Sequence, residues 1–327
     1  MTVTVEAHEL RRIFRPKNQA PVVALDGVDL EVNEGEIFGM LGPNGAGKTT
    51  TIRILSTLLL PTGGWAKVNG YDVAKEPDKV RQVINMASGA EKAGYDFITT
   101  RRNLWFFSQL YGIPTAEAEK RIDELAEMLG LSKFLDRKFY ALSTGYRQRA
   151  TIARGFINEP KVVFLDEPTI GLDVMTALSI REFLKVQARE KGRTIILATH
   201  NMSEAESICD RVAIIDRGKI IAMGKPDALK RSLGAPPLVM EVQPPPRNLD
   251  LLASLPDLRG YTLSVDDERG LATVQVVVGS DSAASAAIEA MKKGGFNVLT
   301  SWRRSPTIEE VFVSLVGKGF KEREEQE

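Results

Sequence analysis

The sequence predicts an α/β fold, a mainly parallel sheet with helices on both faces, followed by a small ferredoxin-like α+β domain. Three observations carry that reading. Short uninterrupted apolar runs, Ile37–Leu41, Val162–Leu165, Ile195–Ala198 and Val212–Ile215, are of the buried-strand type. Helical stretches alternate with them, as the crossovers of a parallel sheet require. Around the proline-rich stretches Gly234-Ala235-Pro236-Pro237 and Pro244-Pro245-Pro246 the composition changes, and the elements from there on follow the order β-α-β-β-α-β.

Taken in order, Val22–Val32 is extended and β-branched and ends near Asn33-Glu34-Gly35. The strand Ile37–Leu41 runs into a glycine-rich loop and a helix over Lys48–Leu59, closed by the turn cluster Pro61-Thr62-Gly63-Gly64. Val83–Ala87 reads as a further strand. From Arg101 to Asn158 the pattern is helical, with Ala116–Leu129 the clearest amphipathic piece. Helices Met175–Arg189 and Met202–Cys209 separate the remaining strands. The second domain reads as strand Leu238–Gln243, helix Asp250–Ser254, strands Tyr261–Val265 and Ala272–Val278, helix Ala283–Lys293, strand Val298–Ser301 and helix Thr307–Val316. The expected domains are residues 1–235 and 236–320, and the charged tail 321–327 is expected to fray.

The bulk numbers narrow the function. At 327 residues the chain is too long for one typical domain and fits two. Lys+Arg and Asp+Glu both count 43, so no excess of positive charge points to nucleic acid. The short basic cluster Arg11, Arg12, Arg15, Lys17 reads as a solvated loop. A single cysteine, Cys209, cannot form an internal disulfide; it is expected as a small packed thiol in a reducing compartment. No charged region followed by an apolar run opens the chain, so no secretory leader is expected. The longest apolar stretch, around Ile52–Leu60, falls short of the roughly 20 residues of a spanning helix. A soluble protein is therefore expected, reaching a membrane only through a partner.

Gly42-Pro43-Asn44-Gly45-Ala46-Gly47-Lys48-Thr49 fits the phosphate-loop pattern G-x-x-x-x-G-K-S/T, between a strand and a helix. Glycines let backbone N–H groups turn inward and approach phosphate oxygens, and the helix that starts at Lys48 turns its positive end to the same anion. Lys48 supplies charge for the β- and γ-phosphates and Thr49 a hydroxyl for Mg²⁺. Residues 42–49, with Thr50 beside them, form the expected ATP-binding segment. Val162-Val163-Phe164-Leu165-Asp166-Glu167 is an apolar strand ending in two acids, which are costly there without a cation or a task. Asp166 is placed to hold Mg²⁺, usually through water, and Glu167 to polarise the attacking water as general base.

Leu142-Ser143-Thr144-Gly145-Tyr146 resembles the signature of the ABC ATPases, usually written LSGGQ, and is followed by Arg147-Gln148-Arg149 as in that family. Gly171-Leu172-Asp173 resembles its D-loop. His200, after the strand that ends near Thr199, sits where the family keeps its switch histidine, at the γ-phosphate. The resemblance spans residues 3–233. It implies a P-loop NTPase domain of the ABC ATPase type, with a helical subdomain at about 91–160, ATP and Mg²⁺ as cofactors, and two subunits meeting head to tail. Ser143, Thr144, Gly145 and Asp173 would then serve the ATP held by the opposite subunit. Phe14 is the candidate for stacking on adenine, with ordinary packing as the other reading. Ser305-Pro306-Thr307-Ile308-Glu309-Glu310-Val311-Phe312 is similar to the ending of the sodium and daunorubicin/doxorubicin exporter ATPases, which pair with separate type-2 membrane subunits. That implies export, a membrane permease as partner, and a place at the cytoplasmic face of the membrane.

The sequence departs from the family in two places. Thr144 and Tyr146 replace the glycine and glutamine of the signature, while Ser143 and Gly145 remain. Where the family has the Q-loop glutamine, this chain reads Ser88-Gly89-Ala90-Glu91; Glu91 is either a substitute or a solvated loop residue. In the family a groove beside the Q-loop takes a short helix of the membrane partner. Tyr95, Phe97, Trp105, Phe106 and Phe107 crowd that stretch; the last three are expected mostly in helix packing, and Tyr95 and Phe97 to dock the partner. The alternative reading is a soluble ABC ATPase acting on ribosomes or DNA. Such proteins usually carry two fused nucleotide domains or long coiled-coil insertions, and this chain has neither.

Overall fold

The computed structural model describes residues 2–17, 20–88, 94–233, 236–246, 248–252, 255, 257–266 and 269–324. The chain divides into two compact units, Met1–Lys225 and Pro226–Glu327.

The first unit begins with strands β1 (Val3–Phe14), β2 (Val22–Asn33) and β3 (Ile37–Leu41) and helix α1 (Lys48–Leu55). Next come β4 (Gly63–Val68), β5 (Tyr71–Asp72), α2 (Pro77–Val83) and β6 (Ile84–Ser88). Helices α3 (Thr100–Leu110), α4 (Thr115–Met128) and α5 (Thr144–Phe156) pack on one another and make up the helical region. The unit closes with β7 (Val162–Asp166), α6 (Val174–Arg189), β8 (Thr194–Thr199), α7 (Met202–Ile208), β9 (Arg211–Asp216) and β10 (Lys219–Gly224).

Two sheets result. One has the order β10-β9-β3-β8-β7-β6, parallel throughout except for β10 at its edge. Every residue of β3, β7 and β8 is buried, which accounts for their unbroken apolar sequences. The other sheet is antiparallel, β2-β1-β4-β5. The core lies between them: Val5, Leu10, Leu25 and Val68 of the antiparallel sheet meet Phe38, Met40, Phe164 and Ile196 of the parallel one, with Ile52, Ile54 and Leu55 of α1.

Several expectations need correction. β1, β4 and β10 were not foreseen. Arg11 and Arg12, expected in a loop, belong to β1, and the expected turn at Gly63-Gly64 opens β4. The pairing of β1 slips between Ala7 and Leu10, where Glu9 has φ 47°, so its apolar residues lose the two-residue alternation by which a strand is recognised. α1 stops at Leu55, four residues early, because Thr57 turns left-handed at φ 64°.

The second unit holds α8 (Pro226–Ser232), β11 (Leu238–Gln243), β12 (Leu258–Asp266), β13 (Leu271–Val278), α9 (Asp281–Lys293), β14 (Asn297–Arg303) and α10 (Ile308–Glu324). Its sheet is antiparallel with the order β12-β13-β11-β14, the split β-α-β arrangement. Ala283, Ala284, Ala287 and Met291 of α9 seal its core. The first expected helix of this unit is only a single 3₁₀ turn, Asp250–Leu252. Residues 321–324, expected to fray, continue α10. The division falls at Lys225/Pro226 rather than at 235/236, because α8 packs on α10 and so travels with the second unit.

Cys209 lies just past α7 and is buried against Gly39, where an added methyl group would stand 2.9 Å from Sγ. Burial raises its thiol pKa well above the ordinary value, so little thiolate forms at neutral pH. Alkylation of the native chain is expected to be about 10²-fold or more slower than in urea, because it must wait for local opening. Mass spectrometry of iodoacetamide-treated samples checks this; equal rates would contradict the buried placement.

Candidate active site

The phosphate loop leaves β3 and enters α1 through two positions that admit only glycine. A methyl group on Gly42 would fall 2.2 Å from the Ile215 carbonyl oxygen. Gly47, at φ 115°, caps α1; a methyl group there would meet Leu25 Cδ2 at 2.7 Å and the Ala24 carbonyl at 2.8 Å. The loop is thus wedged between β2 and the end of β9. The unpaired N–H groups of the first turn of α1 lie where an anion would sit.

Parallel register does the rest. Ser88 pairs with Asp166, Asp166 with Ala198, and Leu41 with Thr199, so the carboxyl ends of β6, β7, β8 and β3 stand level. A cleft of about 460 Å³ opens there, lined by Asn44, Gly45, Gly47, Lys48, Thr49, Thr50, Arg53, Met86, Ser88, Asp166 and Glu167. Arg53, Met86 and Ser88 were missed in the sequence. The signal for Met86 and Ser88 was their place at the end of a strand beside Asp166.

Lys48 is buried and folds back on its own loop, its Nζ donating to the carbonyls of Gly42 at 2.6 Å and Pro43 at 3.0 Å. Burial lowers its pKa, and the charges of Glu167 and Asp166 work the other way. Thr49 Oγ1 donates to Asp166 Oδ2 at 2.9 Å. Burial raises the pKa of Asp166, opposed by this hydroxyl and by Lys48 and reinforced by Glu167. Glu167 has a left-handed backbone, φ 53°, and its N–H donates to the Ala198 carbonyl at 2.8 Å. Its Oε1 accepts from the His200 backbone N–H at 3.2 Å and lies 2.7 Å from His200 Nδ1. An ionised carboxylate only accepts, so beside it Nδ1 carries the proton. The fold thus joins the phosphate loop, the two acids and the histidine, although Asp166 stands 117 residues beyond Thr49 and His200 33 residues beyond Glu167.

The signature and D-loop residues form a second group. Ser143, Thr144, Gly145 and Asp173 do not line the Lys48 cleft. Asp173 caps α6, accepting from Thr176 N at 2.9 Å and Thr176 Oγ1 at 2.8 Å, and these bonds hold its pKa below the ordinary value. Gly145 packs on the same threonine; a methyl group there would stand 3.3 Å from Thr176 Oγ1. Ser143, at the N-cap of α5, is exposed and makes no capping bond. Tyr146, where the family has glutamine, stacks on Phe134 with ring centroids 3.8 Å apart.

Phe14 ends β1, also outside the residues that line the cleft, with the Arg12 guanidinium 4.6 Å from its ring centroid. Glu91 lies outside the described residues. Tyr95 and Phe97 are 55% and 82% exposed. Tyr95 is pinned by Asn103, whose Oδ1 accepts from its N–H at 2.7 Å, and packs edge-on to Phe106. Trp105, Phe106 and Phe107 are half-buried on α3.

The ABC transporter family profile matches residues 25–170. The ABC transporter ATP-binding protein NatA of Bacillus subtilis is 38% identical over 221 residues, 68% of this chain and 89% of that protein. The daunorubicin resistance ATP-binding protein DrrA2 of Streptomyces coeruleorubidus is 36% identical over 326 residues, 99% of both chains. The chain belongs to the ABC transporter family. It is an ATP-binding subunit of that family and an ATPase with a role in transport; the reading as a soluble ABC ATPase of ribosomes or DNA is not favoured. Among solved structures, the dimeric post-hydrolysis state of the ATP-binding cassette MJ0796 bound to ADP and Pi aligns with TM-score 0.61 and 26% identity, over 68% of this chain and 98% of that one. The cbiO1 structure from Clostridium perfringens aligns with TM-score 0.63 and 28% identity, over 70% and 91%.

The wedge at Gly42 makes a direct test of this ABC ATPase. Gly42→Ala is expected to force the loop off β9, to cost about 1–3 kcal/mol of stability, and to weaken ATP binding measurably. Thermal unfolding with and without ATP reads both effects; wild-type values would show that the loop has room it does not display.

Proposed function

We propose that this subunit powers export of a small molecule, drug, lipid or ion through a separate membrane permease. It does so as a head-to-tail homodimer on the cytoplasmic face of the membrane, closing on ATP and reopening after hydrolysis. The observation that carries the hydrolytic part is the Glu167 carboxylate held by His200 beside Lys48 and Asp166. On ATP binding, Lys48 exchanges its two loop carbonyls for the β- and γ-phosphates, and the N–H groups of residues 44–50 surround them. Glu167 accepts a proton from the attacking water, and His200 keeps the carboxylate turned to the γ-phosphate. Thr49 and Asp166 suit Mg²⁺: they offer adjacent hard oxygens, and a cation would relieve the burial of the Asp166 charge. Bound there, Mg²⁺ would neutralise phosphate charge.

The shared site is supported by the placement of Ser143, Thr144, Gly145 and Asp173 outside their own chain's cleft, where a second subunit can present them to its partner's ATP. Among the described residues no helix is long and apolar enough to cross a membrane, so the permease supplies the path. The relatives named for daunorubicin resistance favour outward transport. Phe14 is proposed to stack on adenine, and exposed Tyr95 and Phe97 to receive a helix of the permease.

Glu167→Gln keeps the shape and removes the base. ATP binding should persist, turnover should fall by about 10²-fold or more, and a nucleotide-bound dimer should accumulate on size-exclusion chromatography. Wild-type turnover would end the assignment of the base. Replacing Tyr95 and Phe97 together with Ala should abolish capture of the membrane subunit in pull-downs and leave the ATPase activity of the isolated subunit within about twofold, since neither lines the cleft. Undiminished capture by the folded double variant would rule out that docking surface.

A further inference from the structure

Glu204 is an acid outside the Lys48 cleft. It sits on α7 four residues after His200, and only 1% of it is exposed. Its Oε1 accepts from Thr169 Oγ1 at 2.6 Å. Thr169 is buried too and opens the turn that delivers Asp173, its carbonyl accepting from Leu172 N at 3.3 Å. On the other side, α7 is fastened to the end of β8. Asn201 Oδ1 accepts from Glu204 N at 3.1 Å, and Asn201 N donates to Thr199 Oγ1 at 3.0 Å. Glu204 therefore joins the segment after β7 to the turn after β8, the two stretches that carry Glu167 and His200.

A buried carboxyl is expensive where an apolar side chain could fill the space. Among the described residues, Glu204 Oε2 finds no hydrogen-bond partner. Burial raises its pKa, the hydroxyls of Thr169 and Thr199 and the charge of Arg181 oppose this, and the charge of Glu167 adds to it. An acid kept at such cost is explained by what it connects.

We propose that Glu204 is a positioning residue: through Thr169 it ties the 167–173 segment to the turn carrying His200, so that Glu167, His200 and Asp173 are held in one arrangement. The proposal rests on the reading of Glu167 as general base. Neither Glu204 nor Thr169 lines the Lys48 cleft. Loss of the tie should therefore act on the chemical step rather than on ATP binding.

Steady-state ATPase assays on the full chain, with thermal unfolding as the folding control, test this. Thr169→Val and Glu204→Ala are expected to lower kcat by about tenfold, in keeping with the cost of small misplacements at a reacting centre, and to leave KM for ATP within about twofold. Thr169→Ser keeps a donor and Glu204→Gln keeps an acceptor, so both should recover most of the rate. Thr169→Val retains the side-chain shape and carries the test even if Glu204→Ala fails to fold. A folded Thr169→Val chain with wild-type kcat, or a Glu204→Ala loss that Glu204→Gln does not recover, overturns the tie. Glu167→Gln run alongside separates the two ideas. If it keeps wild-type turnover, the base assignment fails and the proposal with it; if it is inactive while Thr169→Val is normal, the tie alone fails.

Discussion

The wedging of the phosphate loop between β2 and the end of β9 is the contact from which the rest of the site takes its position. The Ala46 carbonyl accepts from Gly218 N at 2.8 Å, and the Gly218 carbonyl accepts from Asp26 N at 2.9 Å, so the β9–β10 turn ties the loop to β2. β2 belongs to the antiparallel sheet and β9 to the parallel one. The same loop that offers N–H groups to an anion therefore also joins the two layers of the core. Once β3 and β9 are set, the parallel register leaves β8, β7 and β6 no choice about where their carboxyl ends stand.

Burial governs the charges gathered there. It lowers the pKa of Lys48 and raises those of Asp166 and Glu204, in each case against the charged form. Lys48 compensates with two loop carbonyls, Asp166 with the hydroxyl of Thr49, and Glu204 with that of Thr169. For Lys48 and Asp166, a bound anion and cation would supply stronger partners than these. Such a site is organised before its ligands arrive, and much of the reorganisation that binding would otherwise require has been met by folding.

The residues proposed for nucleotide chemistry fall into two groups on one chain. One lines the cleft at the strand ends; of the other, Gly145 and Asp173 meet at Thr176, between the start of α5 and the start of α6. Next to the helical region, Tyr95 is hydrogen-bonded to α3 through its backbone. Asn103, buried on α3, accepts from Tyr95 N and donates from Nδ2 to the Tyr95 carbonyl at 3.1 Å. The backbone of Tyr95 is thus tied to α3, while the rings of Tyr95 and Phe97 remain exposed. Aromatic rings on a held backbone lose little entropy when they are covered, in keeping with the docking proposed for Tyr95 and Phe97.

The sequence by itself determined the features whose physics is local. β3, β7 and β8 are legible because burial on both faces demands unbroken apolar runs. The loop from Gly42 to Thr49 is legible because close approach to phosphate demands glycine and a cation at set spacing. Asp166 and Glu167 stand out because acids at the end of a buried strand need a reason. What only the tertiary structure decided depends on partners distant in the chain. β1 and β4 exist because Val5 pairs with Val68 and with Val32, although a slip of register erases the alternation within β1. Ser88 enters the cleft because it pairs with Asp166. His200 meets Glu167, and Glu204 meets Thr169, because β7 and β8 are parallel neighbours. Their side chains share no sequence spacing, and only the sheet brings them within hydrogen-bond distance.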